Sequence, residues 1–114
     1  DTMTDKLFYD IYLSALDATD PDAFASDWAL SSEWGDEADG DALVERAKLC
    51  ERIYELAHLT VADVGHHAGL SQSEFATRFC IPYSTVKNWE FRGGVAPYIV
   101  LLLARACGMT EGVK

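Results

Sequence analysis

The chain is short of cations. Its 114 residues hold nine lysines and arginines against 19 aspartates and glutamates, a formal net charge of −10. So acidic a composition argues against general affinity for nucleic acid, because much of that affinity comes from cations neutralising phosphates. Cysteine is scarce too. Cys50, Cys80 and Cys107 are odd in number, widely spaced and form no Cys-x-x-Cys pair. This speaks against a disulfide framework or zinc site and suits reduced, core-lining thiols in a cytoplasmic protein. No charged segment followed by an apolar stretch opens the chain, and the longest apolar run, Tyr98 to Ala104, is far too short to span a bilayer. A soluble protein without membrane association is expected. No His-Glu-x-x-His spacing, Gly-x-Ser-x-Gly elbow or phosphate-cradling glycine loop occurs. His66 and His67 are adjacent, so on a helix they point about 100° apart and do not easily share one ion. With His58 and Asp63 they read as structural or surface groups. Neither catalysis nor a metal or cofactor is expected.

What the chain does have is an uneven distribution of charge. Residues 1–64 hold 16 acids against Lys6, Arg46, Lys48 and Arg52, a net of −12; residues 65–114 hold three acids against five bases, a net of +2. The length fits one domain, or a small domain with an appended subdomain, and a hydrophobic fraction of 49% suffices for a packed core.

The first half reads as helical. Thr4 or Asp5 can cap a helix along which Leu7, Phe8, Ile11, Tyr12, Ala15 and Leu16 recur at intervals of three and four. Asp20-Pro21 is a cap followed by proline at the first helical position, and this helix should end near Ser31. Ser31 to Asp41, with two glycines and five acids, predicts a surface loop. Against the calcium-loop template, aligning Gly40 with the obligatory glycine puts Gly35 at the first ligand position and Arg46 at the last, so the template fails. From Asp41 a long helix is predicted to His58, with Leu43, Ala47, Cys50, Tyr54 and Ala57 on its apolar stripe and Glu45, Lys48, Arg52 and Glu55 on its charged flank.

The second half is organised around Leu70 to Glu90. Ser71 with Glu74 three residues later is a capping box that starts a helix, and Phe75, Ala76 and Phe79 fall on one face of it. Ile81-Pro82 interrupts it, since the residue before proline is pushed out of the α region. A second short helix is predicted from Pro82 to about Phe91. It buries Val86 and Trp89 and leaves Tyr83, Ser84, Lys87 and Asn88 on a side that carries no acid. Hydroxyl, amide and ammonium groups are the ones that contact phosphates and base edges. Gly93-Gly94 then makes a turn, and a strongly apolar helix runs from Pro97 through Cys107, with Gly108 as its stop. Ile99, Val100, Leu102, Leu103 and Ala106 exceed what one face of a small domain needs, so the acidic half or a second subunit is expected to cover the surplus.

Leu70-Ser71-Gln72, Phe75-Ala76, Ile81, Val86 and Trp89-Glu90 resemble the lambda repressor-like, or XRE-type, helix-turn-helix domain of bacterial and phage regulators. Thr60 to Gly69 is similar to the family's first helix and its glycine stop, and the resemblance covers residues 60–109. Cys80 stands where the family usually has the turn glycine. The resemblance assigns Gln72 and Ser73 to phosphate or first-base contacts and Tyr83, Ser84, Lys87 and Asn88 to the major groove. Asn88 can pair with an adenine edge, while Lys87 and Arg92 hold phosphates.

The expectation is therefore an all-α protein of about seven helices. Residues 1–59 form an acidic helical extension, and residues 60–114 a helix-turn-helix DNA-binding domain. It acts as a sequence-specific transcriptional regulator on double-stranded DNA, as a homodimer because one reading helix touches only a half-site. The competing expectation is an antitoxin-like or adaptor protein that binds a basic protein partner through its acidic half.

Overall fold

The structure is a computed structural model and describes residues 3–114. Among these residues there are seven α-helices, one short 3-10 turn and no strand, so the chain is all-α with the expected number of helices. No helix among the described residues is long and apolar enough to cross a membrane. The chain divides into two compact units, Leu59–Met109 and the remainder, in which the closing residues Thr110–Lys114 group with those up to His58.

In the first unit, α1 (Asp5–Asp17) starts where the Thr4 hydroxyl accepts the Leu7 amide at 3.1 Å. The Asp20 carboxylate caps α2 (Pro21–Ala29) by accepting the amides of Asp22 and Ala23 at 3.1 and 3.2 Å. Asp39 does the same for α3 (Gly40–Ala57) through the Ala42 amide at 3.0 Å. The long α3 packs against both α1 and α2. Ile11, Ala15, Cys50 and Ile53 are wholly buried from solvent there. Each isoleucine so buried contributes about 1.5–3 kcal/mol. At the end of α3, His58 Nε2 donates to the Ala15 carbonyl at 2.8 Å, tying the last turn of α3 to α1.

The stretch from Ser31 to Asp41 is not the plain surface loop expected. Ser32–Trp34 form a 3-10 turn, and Trp34 is buried. Its indole nitrogen donates to the Trp28 carbonyl at 2.8 Å, and the Arg46 guanidinium lies 5.0 Å from the indole ring. Arg46 also donates to the Asp36 carbonyl at 3.2 Å. Arg46 is itself buried, at 4% exposure, although helical spacing places it beside the charged flank of α3. The loop is thus fastened to the helix by one cation, an arrangement no local pattern announces.

The second unit is built from α4 (Val61–Ala68), α5 (Gln72–Phe79), α6 (Tyr83–Arg92) and α7 (Pro97–Ala106). Reciprocal capping boxes start α4 and α5. Thr60 and Asp63 exchange bonds at 3.1 and 2.9 Å, and Ser71 and Glu74 do so at 3.1 and 2.9 Å. Val64, Phe75, Val86, Val100 and Ala104 meet in the core, with α6 packed on α4 and α5, and α7 on α4. α7 ends as expected, with Cys107 as its cap and the Met109 amide reaching back past Gly108 to the Ala104 carbonyl at 2.9 Å. Not all of its apolar side chains are used inside the unit: Tyr98 and Leu102 stay exposed.

Candidate nucleic-acid interface

Three residues, Cys80, Ile81 and Pro82, join α5 to α6. Cys80 takes a left-handed conformation (φ 56°, ψ 40°), and the Ile81 amide bonds the Ala76 carbonyl at 2.9 Å, which closes the α5 end. This is the only positive φ of a non-glycine residue among those described. A side chain with a Cβ pays roughly 1–2 kcal/mol for that geometry. Pro82 then has the extended ψ of 134° that suits an N-cap, and its carbonyl accepts the Thr85 and Val86 amides at 2.9 and 3.2 Å. The direction of α6 is set here.

Along α6 two lines of side chains repeat every four residues. Tyr83, Lys87 and Phe91 make one; Ser84, Asn88 and Arg92 make the other. All six are exposed, whereas Val86 is fully buried and Trp89 half-buried on the opposite side. The Lys87 ammonium sits 5.3 Å from the Tyr83 ring centre, so the first turn of α6 presents an aromatic face and a cation together. At ten residues, α6 is about 15 Å long, comparable with the roughly 12 Å width of a DNA major groove. Its one carboxylate, Glu90, is half-buried and off both lines.

Five of the seven residues singled out from the sequence therefore share one exposed surface: Tyr83, Ser84, Lys87, Asn88 and Arg92. Gln72 and Ser73 lie instead in the first turn of α5. Ser73 is exposed, and its carbonyl accepts the Thr77 hydroxyl at 2.9 Å. Gln72 is half-buried, and its Nε2 donates to Glu90 Oε1 at 3.2 Å. Phe91 was missed. It is 79% exposed, the most exposed large apolar side chain described, and it extends the Tyr83–Lys87 line. The four-residue spacing from Lys87 could have found it.

The second unit carries three carboxylates, Asp63, Glu74 and Glu90, against Arg78, Lys87, Arg92 and Arg105, a net of +1. Asp63 and Glu74 are held in capping boxes. The amide and hydroxyl of Ser71 hold the Glu74 carboxyl below the usual carboxylate range. Of the groups that invited a metal reading, Asp63 is thus occupied by its cap and His58 by the Ala15 carbonyl. The cavity of about 380 Å³ lined by Leu30, Ser31, Asp36, Leu43 and Arg46 belongs to the first unit and includes none of the α5 or α6 residues. No protein family, curated protein or solved structure matches the chain.

Proposed function

We propose that the protein is a sequence-specific DNA-binding regulator without catalytic activity, in which residues 60–109 have a lambda repressor-like fold and α6 enters the major groove. The observation that carries the reading is the pair of acid-free, exposed lines on α6, which offer an amide, two hydroxyls, a phenyl ring and two cations. Asn88 suits the adenine edge, and Lys87 and Arg92 suit phosphates. One α6 spans a half-site, so the active species is a homodimer on paired half-sites. With a net of only +1 on the unit, affinity depends on those few cations. Four phosphate contacts per dimer give a slope of log affinity against log salt of roughly −3.6.

The test is selection of duplexes from a random pool at two salt concentrations, followed by titration of variants over several sequences. Asn88→Ala relaxes the choice of base at one position per half-site. Lys87→Ala weakens every duplex alike and flattens the salt slope. Equal effects of the two variants on all duplexes, or no preferred sequence from the pool, refute the reading.

Charge segregation supports a second reading. The first unit has 16 carboxylates against five cations, a net of −11, and one of those cations, Arg46, is buried. That surface suits a basic protein partner, as in an antitoxin or adaptor. A stoichiometric complex with such a partner, formed by a chain that does not discriminate between duplexes, favours it.

A further inference from the structure

We propose that Gln72 and Glu90 form a positioning pair that fixes the roll of α6 on α5, so that Gln72 serves sequence reading through Glu90 and not by touching the nucleic acid. The inference rests on the reading of α6 as the groove helix, and it assigns Gln72 a role different from the phosphate or base contact that family resemblance implies.

α6 is lightly held. No side chain caps its start, and Val86 is its one fully buried residue. At 100° per residue, Glu90 and Trp89 flank Val86 on the helix circumference, about 40° to one side and 60° to the other. Trp89 packs on the apolar core of the unit. On the Glu90 side, Gln72 Nε2 donates a hydrogen bond to Glu90 Oε1 at 3.2 Å. Apolar packing resists rolling only weakly, because one contact slides into another; a hydrogen bond to a carboxylate is directional and stronger than one between neutral groups. A roll of about 15° carries a side-chain tip roughly 6 Å from the axis through about 1.5 Å, which exceeds the roughly 0.5 Å tolerance of a preorganised site. Lys87 and Asn88 then lose register with base edges, though the fold stays intact. The pair also occupies the only carboxylate of α6.

The experiment compares the full-length wild type with Gln72→Ala, Gln72→Glu and the exchange Gln72→Glu/Glu90→Gln. Each is titrated with the duplex selected for the wild type and with a scrambled duplex, and its thermal unfolding is recorded. Gln72→Ala is expected to lower the preference for the selected duplex about fivefold, the scale of one lost hydrogen bond, while affinity for the scrambled duplex hardly changes. Gln72→Glu sets two carboxylates together and lowers the preference further. The exchange puts amide and carboxylate on opposite helices and restores the preference, which a direct contact from Gln72 to DNA cannot do. If Gln72→Ala weakens both duplexes by the same factor, or the exchange fails to rescue although it melts like the wild type, the pairing is overturned and the DNA reading stands. If the wild type prefers neither duplex, both fall together.

Discussion

Cys80 occupies a backbone conformation that glycine adopts freely and other residues adopt at a cost, and replacing it tests how the turn between α5 and α6 is built. Its φ of 56° places the Cβ against the following carbonyl, a strain of about 1–2 kcal/mol. Cys80→Gly removes that strain but adds freedom to the unfolded chain, which costs about 0.4–1 kcal/mol. The side chain is exposed, so little burial is lost with it. The net expectation is a gain of about 0.5–1 kcal/mol, or roughly 3–6 °C in the melting of a unit this small. Cys80→Asn should gain less, Cys80→Ala nothing because it keeps the Cβ, and Cys80→Val should lose stability, since a branched side chain tolerates positive φ worst. Thermal unfolding of the full chain, with amide exchange of α5 and α6 to assign the transition, gives the ranking. A Gly variant no more stable than the wild type refutes the argument, for it means the left-handed turn is not the strained element.

Other consequences follow from burial and capping. Phe75→Ala should destabilise the second unit by about 3–5 kcal/mol, since the ring is 1% exposed and sits among Val64, Val86 and Val100; denaturant unfolding measures it. Ser71→Ala should cost about 1 kcal/mol by the same assay. Because the Ser71 amide, and with it the Ser71 hydroxyl, lowers the Glu74 carboxyl in the folded state, the stabilisation this gives is complete above the ordinary glutamate value and is lost as pH falls through the lower folded value. Protection of α5 amides should therefore weaken only in acid, and Glu74→Gln should flatten that dependence. Burial pushes the Cys50 thiol up to about 12, so at pH 8 an alkylating reagent should label exposed Cys80 first, half-buried Cys107 more slowly and Cys50 only on unfolding. The same shift makes stability fall as pH rises above the ordinary thiol value.

The local sequence set where helices begin and end. Thr4, Asp20 and Ser71 with Glu74 announced their helices because capping is satisfied within a few residues of chain, and proline and glycine at 82, 93 and 94 marked the breaks for the same local reason. It also determined that Tyr83, Ser84, Lys87 and Asn88 share one side of α6, since that follows from 3.6 residues per turn alone. Other features belonged to the tertiary structure. Trp34 fell in a predicted loop and Arg46 outside the predicted apolar stripe of α3, and only their meeting with each other and with the loop backbone buries both. The bond from Gln72 to Glu90 joins residues 18 apart, and the burial of Thr110 and Val113 depends on the unit they rejoin. Local patterns fix what a residue does for its own helix. Which partner a side chain finds across the chain is decided by packing, where shape and polar satisfaction over long sequence separations outweigh any single-residue preference.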